Sequence, residues 1–298
     1  MEELSLVKNQ IKKYVQECGD QKSCELLEML AQGKMLRSKL ILKIAGISED
    51  SVKLCSVVEM IHAASLLHDD VIDEADTRRG KPSINALFDN KTSIMFGDIL
   101  YSKAFTELSQ MDKRISYTIS NAVTLLSIGE MLDVDLTNDF NTSYDKYFDM
   151  IFKKTASLIE ASAKAAAILC QKDEEAFALY GKNLGLAFQM IDDILDITQD
   201  SATLGKPAML DFVEGKVTIP YLLLHERIAE KAKLESLYKK PLSTEESDWI
   251  KDEMIKNNVL IDSISQAQKL GLEAVEAIKM DESEDLKNIM NQMINREF

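Results

Sequence analysis

The chain has very few places at which it can turn. Eleven glycines and four prolines stand among 298 residues, about 5% against a usual share near 12%. So few turn formers point to long helices and largely rule out sheet-rich folds. Apolar residues recur at helical spacing almost throughout, with no internal repeat or low-complexity tract. The expectation is an all-α chain forming one domain over residues 1–298. Asp50 and Ser51 are plausible N-caps for a helix running through Val57, Val58, Ile61, Leu66 and Leu67 to about Ala75. Further helices are expected near 92–109, 113–137, 143–170 and 173–200, and shorter ones with acidic outer faces toward Phe298. Two stretches break the pattern: Asp76 to Ser83, and Asp200 to Lys216 with Gly205, Pro207 and Gly215.

Each break follows an aspartate cluster at the end of a strongly apolar segment. The clusters are Asp69-Asp70-Val71-Ile72-Asp73 and Asp192-Asp193-Ile194-Leu195-Asp196, both reading DDxxD. Chance placement at this aspartate content gives about 0.2 such patterns in the whole chain. On a helix the first and last aspartates of a cluster share a face, where like charges destabilise by a few tenths of a kcal/mol. A divalent cation held by carboxylate oxygens compensates, and Mg²⁺ binds through one or two carboxylates plus substrate phosphates. The flanks Ser65-Leu66-Leu67 and Phe188-Gln189-Met190-Ile191 are too apolar for an ordinary solvated acidic face. His62, Ser65, Asp69 and Asp73 fall on one stripe, and Gly185, Gln189, Asp192 and Asp196 on another. Facing stripes would form a negative mouth over apolar walls, suited to a metal-bridged polyanion with a hydrocarbon tail.

A diphosphate also needs fixed cations, and these sit close to the acid clusters. Lys34 and Arg37 lie in Gly33-Lys34-Met35-Leu36-Arg37, Arg78 and Arg79 follow the first cluster, and Lys206 and Lys216 follow the second. Elsewhere acid dominates: 35 basic against 50 acidic residues give a net charge of −15. That field repels nucleic-acid backbones and anionic membrane surfaces, so neither is an expected partner. No apolar run approaches the roughly 18 residues of a membrane span. Cys18, Cys24, Cys55 and Cys170 form no CxxC pair and no charged-then-apolar leader opens the chain, so the expected location is cytoplasmic.

From about Gly33 to Pro220 the chain resembles the trans-isoprenyl diphosphate synthases of the polyprenyl synthetase family. The resemblance rests on GKMLR at 33–37, IHAASLLHDDVID at 61–73, RRG at 78–80, KTA at 154–156, FQMIDDILD at 188–196, and GKP followed by DFVEGKVTIP through 220. It implies a bundle of long antiparallel helices around a deep central cavity, usually a homodimer. It places Asp69, Asp73 and Asp192 on several Mg²⁺ ions at the allylic diphosphate, with Asp70, Asp193 and Asp196 in support. Arg78, Lys154, Gln189, Lys206 and Lys216 would contact that diphosphate, while Lys34, Arg37, His62 and Arg79 would bind isopentenyl diphosphate. Thr155 stands where the family places a hydroxyl near the developing carbocation, although a threonine bonding its own helix backbone reads equally well. The implied reaction is ionisation, attack by isopentenyl diphosphate and proton loss, with diphosphate as the base. His68 reads as a packed residue, and His225 lies outside every motif.

In this family the residues four and five before the first aspartate decide whether the product can pass down the cavity. Here they are the small Ser65 and Ala64, with Ile61 next along the wall. Eleven residues of helix, from Asp69 back to Val58, span roughly 16 Å. The sequence therefore leans toward a long-chain product such as an octaprenyl diphosphate, the alternative being a farnesyl- or geranylgeranyl-type product. A terpene cyclase would not need Lys34, Arg37 and Arg79, and a non-catalytic partner subunit would be expected to lose metal ligands that are complete here. Two departures from the family pattern touch loop geometry: Ser38 where a proline often follows the arginine, and Met209 where glycine is common.

Overall fold

The computed structural model describes residues 2–31, 33–199, 209–279 and 284–294. In chain order the helices are α1 (Glu2–Gln16), α2 (Gln21–Met29), α3 (Leu36–Ala45), α4 (Glu49–Ile72), α5 (Ile84–Leu87), α6 (Asn90–Leu108), α7 (Lys113–Leu136), α8 (Tyr144–Ile151), α9 (Ser157–Cys170) and α10 (Glu174–Thr198). They continue as α11 (Leu210–Val213), α12 (Ile219–Arg227), α13 (Lys231–Leu237), α14 (Thr244–Lys256), α15 (Val259–Ala277) and α16 (Glu284–Ile294). The fold is all-α, as the scarcity of turn formers implies. Among the described residues the strands are two-residue pieces, β1 (Thr77–Arg78) and β2 (Lys81–Pro82), paired antiparallel. No described helix is long and apolar enough to cross a membrane. The chain divides into two compact units, Met1–Val123 with Ala161–Ala178, and Thr124–Glu160 with Leu179–Phe298.

The first unit is organised around α4. Its apolar residues are not confined to one stripe, and Leu54, Val57, Val58, Ile61 and Ala64 have no exposed surface, which marks a central helix. It packs chiefly on α6, where Phe96, Leu100 and Ala104 are buried, and on α3, where Leu40 and Ile41 are buried. The N-cap is Ser48 rather than Asp50 or Ser51: Ser48 is extended and accepts from Ser51 N, and Ser51 completes a capping box. The helix ends at Ile72, three residues before the sequence pattern fades. The break that follows is a β-hairpin whose turn residues, Arg79 (φ 53°) and Gly80 (φ 72°), are both left-handed. That pair matches the twist of a two-residue hairpin, and the arginine's positive φ costs about 1–2 kcal/mol.

The second unit is built on α8, the later part of α10, and α12. Tyr147, Met190, Phe212, Tyr221 and Leu224 form its core, with Phe212 and Tyr221 stacked at 4.3 Å. Residues 143–170, expected as one helix, are interrupted by a π-helical turn, Phe152–Ala156. Of the second break, residues 200–208, including Gly205, Lys206 and Pro207, lie outside the described residues. Met209 follows with φ 60°, which explains why glycine suits that position. Its side chain is buried and its N–H donates to Asp196 O at 2.8 Å, so the left-handed turn is held from both sides.

Candidate active site

In the first unit the last turn of α4 carries Asp69 and Asp70, and Asp73 caps the helix. The hairpin then returns Arg78 to this end: its Nε donates to Asp70 Oδ1 at 2.5 Å and its Nη2 to Asp69 Oδ2 at 3.1 Å. Arg78, expected on the allylic diphosphate, is thus found gripping the acid cluster. Asp70, expected to support the metal, is 4% exposed. Burial outweighs the attraction of Arg78 and pushes its carboxyl above the ordinary aspartate value. Asp69 and Asp73 remain accessible, Asp69 in part. His68 is packed as expected, with Nε2 3.1 Å from Ile94 O and its ring against Tyr101, and the absence of a side chain at Gly97 leaves room for the imidazole.

A second group in the same unit is cationic. Arg79 Nη1 donates to Ala31 O at 3.2 Å, and a Cβ at Gly33 would lie 2.6 Å from that nitrogen, so glycine is what lets the guanidinium in. Burial and the nearby Arg79 lower the Arg37 guanidinium to about 10, with Glu59 opposing, and its buried Nε has no hydrogen-bond partner among the described residues. Burial together with Arg37, Arg79 and Arg78 holds the His62 imidazole well below its ordinary value. Glu59 Oε1 accepts from Ser38 N at 3.2 Å and Ser38 Oγ at 2.7 Å, tying the first turn of α3 to α4. A proline at position 38 would lack the first of these bonds. Three of the four residues expected to bind isopentenyl diphosphate are therefore brought together, while Lys34 lies exposed just ahead of α3. Two guanidiniums and an imidazole beside one carboxylate leave an excess of donors fit for a polyanion.

Of the three residues expected to set chain length, Ile61 and Ala64 are closed over by core, with no exposed surface. Ser65 is half-buried and donates to His62 O at 2.9 Å. It is the one of the three that meets accessible space.

In the second unit the π turn holds Lys154 and Thr155. Two glycines allow its close packing: a Cβ at Gly129 on α7 would lie 2.6 Å from Lys154 Cα, and one at Gly185 on α10 would lie 2.5 Å from Ala156 Cα. Lys154 Nζ, expected on the diphosphate, is paired with Glu130 at 3.0 Å and Asp133 at 2.6 Å. Thr155 Oγ1 donates not to its own helix but to Gln189 Oε1 at 2.8 Å. Gln189 Nε2 donates to Asp193 Oδ1 at 2.9 Å, and Tyr147 Oη donates to Asp193 Oδ2 at 2.6 Å. Asp193 and Asp196, expected to support the metal, are 3% and 2% exposed. Asp193 is held on both oxygens, and Asp196 accepts from Asp211 N at 3.2 Å. Asp192 is the accessible member of the cluster. Lys216 pairs with Glu214 at 3.2 Å. His225 pairs with Glu235 and packs on Phe140, apart from these groups.

The structural residues that sequence reasoning missed are Tyr147, Glu59 and Gly129; Gly185 was placed on the stripe of the second cluster, without its packing role. Tyr147 lies two helical turns before Lys154, a spacing that hints at a shared face. Nothing in the sequence marks the π turn itself.

The donor set fits a hard divalent cation in one respect and not in another. Asp69 and Asp73 in the first unit, and Asp192 in the second, each keep some exposed surface and carry the carboxylate donors that Mg²⁺ prefers. Among the described residues no three acidic, histidine or cysteine side chains are gathered into a preformed cage. An ion that arrives with a phosphate ligand and keeps its waters requires none.

Residues 22–254 match the family model described as polyprenyl synthetase. A prenyl transferase of Synechocystis sp. is 38% identical over 215 residues, spanning 68% of this chain and 67% of that protein. An octaprenyl diphosphate synthase of Haemophilus influenzae is 36% identical over 237 residues, spanning 78% of this chain and 72% of the other. The crystal structure of octaprenyl pyrophosphate synthase from Helicobacter pylori superposes with a TM-score of 0.93 at 43% identity, over 99% of each chain. The cationic group around Arg37, the two aspartate clusters and the Lys154-Thr155 turn thus occur in a chain whose match runs through all of them: the chain belongs to the polyprenyl synthetase family.

Proposed function

We propose that this prenyltransferase condenses isopentenyl diphosphate head-to-tail onto an allylic diphosphate to give a long trans-polyprenyl diphosphate, with all 298 residues working as one catalytic domain. The observation that carries the reading is the cationic group Arg37, His62 and Arg79, because a cyclase has no use for a second diphosphate pocket. Mg²⁺, held by Asp69, Asp73 and Asp192, would supply the positive charge that stabilises the departing diphosphate. Arg78 and Lys154 each stand in an ion pair with protein carboxylates and exchange those partners for phosphate oxygens. Lys216, Lys206 and Gln189 complete the contacts to the allylic group. Arg37, Arg79, His62 and Lys34 hold the other diphosphate, the two guanidiniums presenting planar forks to it. The Thr155 oxygen faces the developing carbocation, and the diphosphate released in the first step takes the proton in the last.

The long-chain preference is supported by the small side chain of Ser65, the one of the three residues that meets accessible space, and by relatives that carry the name octaprenyl diphosphate or pyrophosphate synthase. A homodimer is supported by α7. From Ile115 to Gly129 it bears no charge, and its exposed residues there and just beyond include Tyr117, Ile128 and Met131. All four cysteines are thiols, which suits a cytoplasmic enzyme. The decisive assay incubates the protein with Mg²⁺, isopentenyl diphosphate and farnesyl or geranylgeranyl diphosphate and resolves the products by mass. A dominant long chain is expected. Products stopping at C15 or C20 would overturn the long-chain reading, and no condensation from any primer would overturn the reaction.

A further inference from the structure

Resting on that reading of the reaction, we propose that Tyr238 and Lys239 are positioning residues: they latch the segment 209–218 to the C-terminal end of α7 and so set the spacing of Lys216 and Lys154 for the allylic diphosphate. Both lie beyond Pro220, past the stretch that carries the family motifs.

The latch begins where α13 ends. Tyr238 is extended, and Lys239 takes the left-handed conformation at φ 56°, which is unfavourable for any residue with a Cβ. Here Tyr238 Oη meets three backbone carbonyls, at 2.8 Å from Gly215 O, 2.9 Å from Thr137 O and 3.1 Å from Asp139 O. The hydroxyl has one proton to share among the three, and Lys239 Nζ adds a second donor to Thr137 O at 3.1 Å. Thr137 is the first residue after α7, so its carbonyl lies where helical partners run out and a cation is favoured. The tyrosine ring is held edge-on by Phe140 at 5.4 Å and by Phe212 at 6.0 Å, which keeps the hydroxyl in place.

On its other side the latch covers Gly215. A Cβ there would lie 2.7 Å from Lys239 Cγ, Gly215 is itself left-handed at φ 93°, and Lys239 N donates to Phe212 O at 3.4 Å. The same segment is tied to the second aspartate cluster: Asp211 N donates to Asp196 Oδ2 at 3.2 Å, and Lys216 N donates to Asp211 O at 2.7 Å. Lys216 therefore leaves the backbone immediately after the point that Tyr238 holds. The other lysine is tied to α7, because Asp133, in its last turn, pairs with Lys154 Nζ at 2.6 Å. Asp133 and Lys216 line one small cavity together with Gly215 and Thr218. A lysine is a point charge on a flexible stem, so the place where its backbone is fixed decides which phosphate oxygen it reaches. Two ammonium groups set in advance at one spacing bind a diphosphate without the ordering cost that loose ones incur.

The test compares Tyr238→Phe and Lys239→Gly, alone and each combined with Lys216→Met, in steady-state condensation with both substrates varied. Phenylalanine keeps the ring packing and removes the hydroxyl; glycine keeps the left-handed turn and removes the side chain. Tyr238→Phe should raise KM for the allylic diphosphate about 3- to 10-fold, the factor that one hydrogen bond represents, and leave KM for isopentenyl diphosphate unchanged within about twofold. Lys239→Gly should move the same constant in the same direction. In the Lys216→Met background Tyr238→Phe should add less than about twofold, because the group it positions is gone. Lys240→Ala, whose ammonium bonds back to Ser236 O, is the control and should leave both KM values as they are. A merely structural contact would lower the melting temperature and affect both substrates alike. Equal rises in the two KM values, an unchanged allylic KM in Tyr238→Phe, or losses that multiply in full with Lys216→Met would overturn the proposal. Wild-type condensation alongside any of these results confines the failure to this inference, whereas a wild-type protein that makes no product refutes the prenyltransferase reading itself.

Discussion

Replacing Gly129 by alanine tests whether the π turn must lie where the structure puts it. The new Cβ would stand 2.6 Å from both Lys153 C and Lys154 Cα, against about 3.5–4.0 Å for carbon atoms in ordinary contact. Those neighbours are backbone atoms, so no side-chain rotation relieves the clash. Either α7 or the turn must retreat by roughly 1 Å. Alanine gains about 0.8–1.0 kcal/mol of helix propensity over glycine, and forced overpacking costs about 1–3 kcal/mol or somewhat more. The net effect on stability is a loss of up to about 2 kcal/mol. The effect on catalysis is larger, because a 1 Å misplacement of reacting groups costs on the order of 100-fold. The assay pairs thermal unfolding with steady-state kcat for condensation, and uses Asn121→Ala, exposed on the same helix, as a control for helix propensity. Wild-type kcat together with a raised melting temperature in Gly129→Ala would refute the close packing and the positioning role assigned to it.

Other outcomes follow from the same geometry. Asp69→Ala and Asp192→Ala should each abolish turnover while leaving the circular dichroism spectrum unchanged; substantial residual condensation would remove them as metal ligands. Lys34→Ala combined with Arg37→Ala should raise KM for isopentenyl diphosphate at least tenfold, and an effect confined to the allylic substrate would reverse the pocket assignment. Ser65→Phe should shorten the product by one or more isoprene units, so an unchanged product length would show that the chain does not pass this face of α4. The His62 imidazole is held below its ordinary value, first by burial and then by three arginines, so the folded state binds fewer protons there than the unfolded chain. Its contribution is present above the unfolded value near 6.5 and is lost as pH falls toward the lowered folded value. His62→Gln should flatten acid destabilisation in that window when unfolding is followed by denaturant titration, and an unchanged pH profile would contradict it.

The helices were legible because their signals are local and repeated. Their apolar spacing located α4, α6, α7 and α10 to within a few residues, and the two aspartate runs announced themselves by composition. What the sequence did not show depends on contacts between distant residues. Ser48 rather than Asp50 caps α4 because of its extended backbone, which no spacing rule reveals. The hairpin at 77–82 was hidden because Arg79, not a second glycine, adopts a left-handed turn conformation. Asp70, Asp193 and Asp196 look identical to their neighbours in the motif, yet they are turned into the protein and held by Arg78, Tyr147, Gln189 and the backbone of Asp211. Only burial separates the aspartates that hold the scaffold from those left to meet a ligand.

The hairpin after α4 has a further consequence. It gives consecutive arginines different tasks: Arg78, on the strand, reaches the carboxylates, while Arg79, at the turn, reaches the segment around Gly33. Their division of labour depends on where the bend falls and not on their chemistry, which is the same. An insertion or deletion of one residue here would move the bend onto the wrong arginine and reverse the faces of the strand. The length of this short connector is therefore as much a determinant of which groups the two arginines reach as the charges it carries, and a homologue with a connector of different length should have rewired its arginines to match.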